Sequence, residues 1–182
     1  WERMFPNASI DSASVLFDEK TQTFRLWYMW CSTFDCTTQL TALATSSDGA
    51  RWTRPELDVH QLPGYTGRTN VLGSGIGASA VFLNHQAPAA KRFQVMEKCG
   101  VKSAIPPSRL GPLYPSPCPG TLLLWQSSPD GITWRAEAVW EIGEDDSQST
   151  AWWDKKAQRW VLWTREWANC DANFPEIGCA GG

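Results

Sequence analysis

Apolar and polar positions along residues 11–30, DSASVLFDEKTQTFRLWYMW, fall into one order: an apolar run reaching Phe17, a polar stretch opened by Asp18, and a second run from Phe24 to Trp30. The same order returns at residues 146–167, DSQSTAWWDKKAQRWVLWTREW, and in a more worn form at residues 79–98, SAVFLNHQAPAAKRFQVMEK. Short runs rich in Val, Phe, Trp and Leu on either side of a polar turn predict a β-hairpin. Three such hairpins are therefore expected. No segment carries a 3.6-residue apolar stripe over three turns, so helices are not expected.

A second motif follows the first two hairpins. SSDGARW (residues 46–52) and SPDGITW (residues 128–134) share Ser-x-Asp-Gly-x-x-Trp. The Asp side chain can accept backbone N–H groups in a tight turn, Gly can take positive φ, and the Trp returns to the apolar layer. The order becomes hairpin, loop, strand, Asp-Gly turn, strand. That is four strands per unit, over residues 11–57 and 78–139, with a third unit opening near 146. A sandwich would also supply many strands, but it does not predict this order twice. The expected fold is all-β: a partial five-bladed β-propeller with four-stranded antiparallel blades, one domain over residues 1–182. Two and a half blades leave sheet edges open, so the remaining blades are expected in a longer chain, beyond Gly182.

Composition narrows the function classes. The chain is 42% hydrophobic and 19% charged, with net charge -3, which suits a packed core and gives no basic footing for nucleic acid or an anionic membrane. No run approaches the 18 or so apolar residues of a spanning helix. Six cysteines fall in three connecting segments. Neighbour pairing would join Cys31 with Cys36, Cys99 with Cys118 and Cys170 with Cys179, one of about 15 connectivities. Disulfides imply an extracellular or lumenal setting, and Asn7-Ala8-Ser9 is a glycosylation sequon compatible with it. No ligand spacing points to a metal, and no motif points to a cofactor. His60 and His85 have no partner pattern.

The combination YMWC…ATSSDGARWTRPEL, SPDGITW and DSQSTAWWDKKAQRWVLWTRE resembles the five-bladed propellers grouped with glycoside hydrolase families 32 and 43, the invertase, levansucrase and arabinanase relatives. It is most similar to a family-32-like branch. The invertase-type W-x-N-D-P-N-G motif is absent, and the chain reads WERMFPNASIDSAS there. The resemblance implies a carbohydrate ligand and acids at blade openings, where first strands begin near a central funnel. Asp11 opens the first unit. Asp146 opens the third, in GEDDSQS beside Glu144 and Asp145, whereas the second opens GIGASAV without an acid. Glycoside cleavage needs two carboxylates across the scissile bond, so Asp11 with Asp146 or Glu144 forms the candidate catalytic set. Asp145, Arg165, Trp152 and Arg54 are the candidate substrate contacts.

Each candidate also has a structural reading. Asp before Ser at a strand start can cap its own turn; Arg165 and Arg54 can sit in surface ion pairs. Asp48 and Asp130 are expected in Asp-Gly turns, and Asp18 and Asp154 in hairpin turns. Trp27, Trp52, Trp134, Trp160 and Trp163 occupy matching places in the repeats and are expected in the core. Trp152 and Trp153 point to opposite faces of a strand, so one of them is free to meet a sugar. The leading expectation is a glycoside hydrolase. The others are a non-catalytic glycan-binding or scaffold propeller, and a sialidase-like enzyme suggested by the Asp-box look of Ser-x-Asp-Gly-x-x-Trp.

Overall fold

The computed structural model describes residues 2, 7–32, 39–73, 76–78, 80–98, 122–141 and 150–163. Within them the chain is mostly antiparallel β-sheet, with a short 3-10 turn at Ala89–Lys91. The strands are β1 (Ser9–Asp18), β2 (Thr23–Cys31), β3 (Gln39–Ser46), β4 (Val71–Gly73), β5 (Phe82–Leu83), β6 (Phe93–Lys98), β7 (Leu122–Ser128), β8 (Arg135–Glu141), β9 (Thr150–Asp154) and β10 (Arg159–Trp163). They form two four-stranded sheets, β1-β2-β3-β4 and β5-β6-β7-β8, and a two-stranded hairpin, β9-β10. All three expected hairpins are present. Among the described residues no helix is long and apolar enough to cross a membrane.

The turns show why the repeat is legible. In the first hairpin Asp18 pairs with Thr23, and in the third Asp154 pairs with Arg159, so each loop holds four residues. Each loop ends in a glutamine at φ 52°, Gln22 and Gln158. Their side-chain amides donate back to the carbonyls of Glu19 (2.8 Å) and Lys155 (2.7 Å). The opening carboxylates accept turn N–H groups: Asp18 Oδ1 from Lys20, and Asp154 Oδ1 from Lys156 and Ala157. Asn84 takes the same place in the second unit, accepting from Gln86 N at 3.0 Å.

The Asp-Gly turns match atom for atom. Asp48 Oδ1 accepts from Ala50 N (2.9 Å) and Arg51 N (2.8 Å), and Asp130 Oδ1 from Ile132 N and Thr133 N (both 2.8 Å). Ser46 and Ser128 bond both the Asp carboxylate and the Gly N–H. Gly49 and Gly131 sit at φ 75° and 71°. The N–H groups of Arg51 and Ala50 hold the Asp48 carboxyl below its ordinary pKa. At Asp130 burial pushes the other way, but the N–H groups of Thr133 and Ile132 and the Ser128 hydroxyl outweigh it.

One element departs from expectation. In the second unit the strand after the Asp-Gly turn is β8, directly after it. In the first, only Thr53 bridges back to Thr45. Pro55 follows within two residues and has no N–H to give a ladder. The chain then runs outward to Leu62 and Tyr65, and the fourth place in the sheet is taken by β4, paired with β3 through Ala42 and Val71.

Packing follows strand alternation. Ser14, Leu16, Trp27 and Leu43 lie on the face of the first sheet that meets the second, against Phe93, Val95 and Leu124. Fully burying a side chain such as Phe93 contributes about 3 kcal/mol. Tyr28, Trp30, Leu40 and Ala42 lie on the other face, covered by Leu62 and Tyr65 from the 54–70 segment. The far face of the second sheet packs Met96 and Leu123 against Ala151, with Phe82, Trp125 and Trp160 alongside. The three units therefore stack in chain order.

Matching repeat positions face matching ways. Phe93 looks back at the first unit and Trp160 back at the second, while Trp27 looks forward into the second. Trp163 occupies the Trp27 position in the third unit but is 66% exposed, against the expectation of a core residue. No described strand lies in front of it. The other core expectations stand: Trp27 and Trp134 are buried, and Trp52 and Trp160 are half-buried against their clusters.

Candidate functional site

The contacts between the units fix the polarity of the stack. Asp18, at the turn end of the β1-β2 hairpin, takes an ion pair from Arg92, next to β6, and another from Arg25 at 3.3 Å. Arg25 also donates to the Asp130 carbonyl (2.5 Å), and Trp27 Nε1 to the Gly131 carbonyl (2.8 Å). The hairpin turn of the first sheet thus meets the hairpin turn and the Asp-Gly turn of the second. The turn of the third unit, Lys155 to Gln158, lies beside Asn84, His85 and Gln86 of the second. All three hairpin turns share one side of the stack, and the strands β1, β5 and β9 enter from the opposite side.

Asp11 lies on that entry side. It is exposed in edge strand β1, at a bulge where the register shifts between Ile10 and Ser12. A bulge re-aims side chains and is frequent beside functional sites. Asp11 and Asp18 are seven residues apart, about 23 Å along an extended strand. Asp146, Glu144, Asp145 and Arg165 lie outside the described residues. β9, which follows Asp146 in the chain, begins at Thr150 on the same entry side.

Arg54 is not brought to Asp11. It pairs with Glu2 (2.6 Å), whose other oxygen accepts the Tyr28 hydroxyl (2.8 Å). Asn70 Nδ2 donates to that hydroxyl at 2.7 Å. Burial is the largest cause holding the Tyr28 phenol protonated, opposed by the Asn70 bond and reinforced by the Glu2 carboxylate. Arg54 therefore ties residue 2 to the outer face of the first sheet. Trp152 is 44% exposed. It stands two positions before Asp154, as Leu16 stands before Asp18, on the strand face away from the second sheet, and it also contributes to the lining of the groove between the second and third hairpins.

Two arrangements escape a reading of the sequence alone. The first is the Asp18 cluster. Asp18 was expected only as a turn residue; it also caps its turn, but it is 1% exposed and holds two arginines whose guanidinium carbons lie 5.0 and 4.4 Å from the Phe93 ring centre. Burial pushes its carboxyl up, yet the Arg92 bond and the remaining contacts outweigh that and hold it below the ordinary range. The alternation of β1 is the signal that could have found it, because Asp18 continues the Ser14 and Leu16 face. The second is a groove of about 580 Å³ between the second and third hairpins. Phe82, Trp152, Trp153 and Trp160 line it together with the polar side chains of His85, Gln86 and Lys155. No local motif announces a groove built by segments some 65 residues apart.

Cys31 is buried at the end of β2 and carries no free thiol. Cys36, Cys99, Cys118, Cys170 and Cys179, and with them the expected pairings, lie outside the described residues. Among the described residues no group of three or more His, Cys, Asp and Glu side chains is placed to hold a metal ion. Compared with protein-family models, curated proteins and solved structures, the chain matches none.

Proposed function

We propose that this chain is part of a secreted carbohydrate-active propeller, and that it cleaves glycosidic bonds with carboxylates on the entry side of the stack. The observation that carries the reading is the common polarity of the units. First strands that enter from one side are what an arrangement with the unit openings close together requires, and in the sequence the openings of units one and three carry Asp11 and Asp146. Two carboxylates from different units across one bond supply the acid and the base or nucleophile that hydrolysis needs. Further four-stranded units of the full-length chain complete the pocket, and Cys31, which carries no free thiol, is in keeping with an oxidising compartment.

The test is a screen for reducing-end release from plant- and alga-type polysaccharides by the full-length protein, with Asp11→Asn and Asp146→Asn beside it. Loss of about 10²- to 10⁴-fold in each variant, the usual contribution of a catalytic acid or base, supports the assignment. Unchanged turnover in both removes it. A second reading, glycan binding without hydrolysis, is favoured by the exposure of Asp11 and by the acid-free opening of the second unit. It predicts saturable glycan binding and no turnover.

A further inference from the structure

We infer that the groove between the second and third hairpins binds an anionic oligosaccharide, one carrying uronate or sulfate groups. This site is separate from the entry-side acids, because it lies at the turn end of the stack. It rests on the carbohydrate reading for its ligand class and not on hydrolysis.

The chemistry of the groove selects the ligand. Its wall is a run of packed aromatic rings: Phe82 and Trp160 at 5.2 Å, and Trp160 and Trp153 at 5.5 Å between centres. Flat apolar rings of this kind suit the C–H face of a pyranose, and they keep a polar N–H edge for a hydroxyl. Trp125 packs edge-on against the same cluster, 6.3 Å from Trp160. A pocket with aromatic walls and a few polar groups at its mouth is the usual form of a small-ligand site.

Charge decides between a neutral and an anionic sugar. Among the described residues that line the groove none is a carboxylate, and Lys155 is the one that carries a permanent charge. The hairpin that carries it, residues 150–163, contains Lys155, Lys156 and Arg159 against Asp154 alone, a net +2 in a chain of net -3. Asp154 is turned to its own backbone, accepting from Lys156 N (2.9 Å) and Ala157 N (3.0 Å). Lys155, exposed, therefore lines the groove with no carboxylate among the described lining residues to pair with. His85 and Gln86, both exposed on the facing turn, add hydrogen-bonding edges across from it. An anionic group on a sugar stacked along the wall would meet Lys155 directly.

The test is a fluorescence titration of the full chain with tetragalacturonate, and with cellotetraose as the neutral comparison. Tetragalacturonate is expected to quench tryptophan emission saturably and to bind more tightly than cellotetraose. Lys155→Gln should weaken it about three- to fivefold, the range for an exposed ion pair, and His85→Ala about twofold. Raising the salt to about 0.5 M should erase the preference over cellotetraose. Both substitutions are on exposed turns and spare the core. Asp11→Asn should leave this binding unchanged, so loss of hydrolysis and loss of groove binding are read separately. No saturable tetragalacturonate binding, equal affinity for cellotetraose, or affinity untouched by Lys155→Gln would each overturn the inference.

Discussion

Gly49 and Gly131 are the same residue of the same turn in two units, and their surroundings differ in one respect. A Cβ at Gly49 would lie 3.4 Å from the Phe24 ring, ordinary contact within its own sheet. A Cβ at Gly131 would lie 2.6 Å from Trp27 Cζ2, a ring carbon of the neighbouring sheet. Both glycines have positive φ, so alanine at either costs about 1 kcal/mol in backbone strain. At Gly131 the indole must also move. It is fully buried, and its N–H bond to the Gly131 carbonyl, worth about 1 kcal/mol, stretches with it. Displacing a packed core ring adds a further 1–2 kcal/mol or so. Gly131→Ala is thus expected to lose about 3 kcal/mol and Gly49→Ala about 1. Urea denaturation followed by tryptophan emission measures both on one protein. Equal losses would mean that Trp27 does not press on that turn, and the stacking of the first two sheets would be refuted.

The Asp18 carboxyl is held below its ordinary value of 3.8 in the folded chain. Its contribution to stability is therefore fully present above about pH 4 and lost as the pH falls through the lowered folded value. Asp18→Asn leaves Arg25 and Arg92 side by side without their counter-charge and should cost about 3 kcal/mol at neutral pH. It should also flatten the acid limb of the stability profile, measured by urea midpoints from pH 7 to 2. Gln158→Gly relieves a positive φ at the expense of an exposed side-chain bond and should raise stability by about 0.5 kcal/mol, read as a small rise in Tm. Asp11→Asn, on an exposed bulge, should move stability by less than about 0.5 kcal/mol; a larger loss would mark Asp11 as a structural cap.

How far the sequence speaks depends on how local the cause is. The hairpins are legible because alternating apolar residues and a four-residue polar loop specify them without help from elsewhere. The Asp-Gly turns are legible for the same reason, since the Ser and Asp oxygens satisfy the turn within six residues. Where a distant segment intervenes, the pattern runs out. Pro55 diverts the first unit after a single bridge at Thr53, and β4 takes the fourth place from residues 71–73, which the motif spacing did not predict. Asp18 carries a turn signal that masks its second partner, Arg92, 74 positions away. The acids at the unit openings are singled out by the repeat and the family resemblance together, and of them Asp11 lies among the described residues. The aromatic groove has no motif because two turns from separate repeats create it.

The units stand face to face with their hairpin turns on one side, and Asp18 and Arg92 join two of those turns directly. A double-mutant cycle with Asp18→Asn and Arg92→Gln measures that contact in solution. A coupling of about 2 kcal/mol at neutral pH is predicted for this buried pair, whereas additive losses, within about 0.3 kcal/mol, would contradict the arrangement.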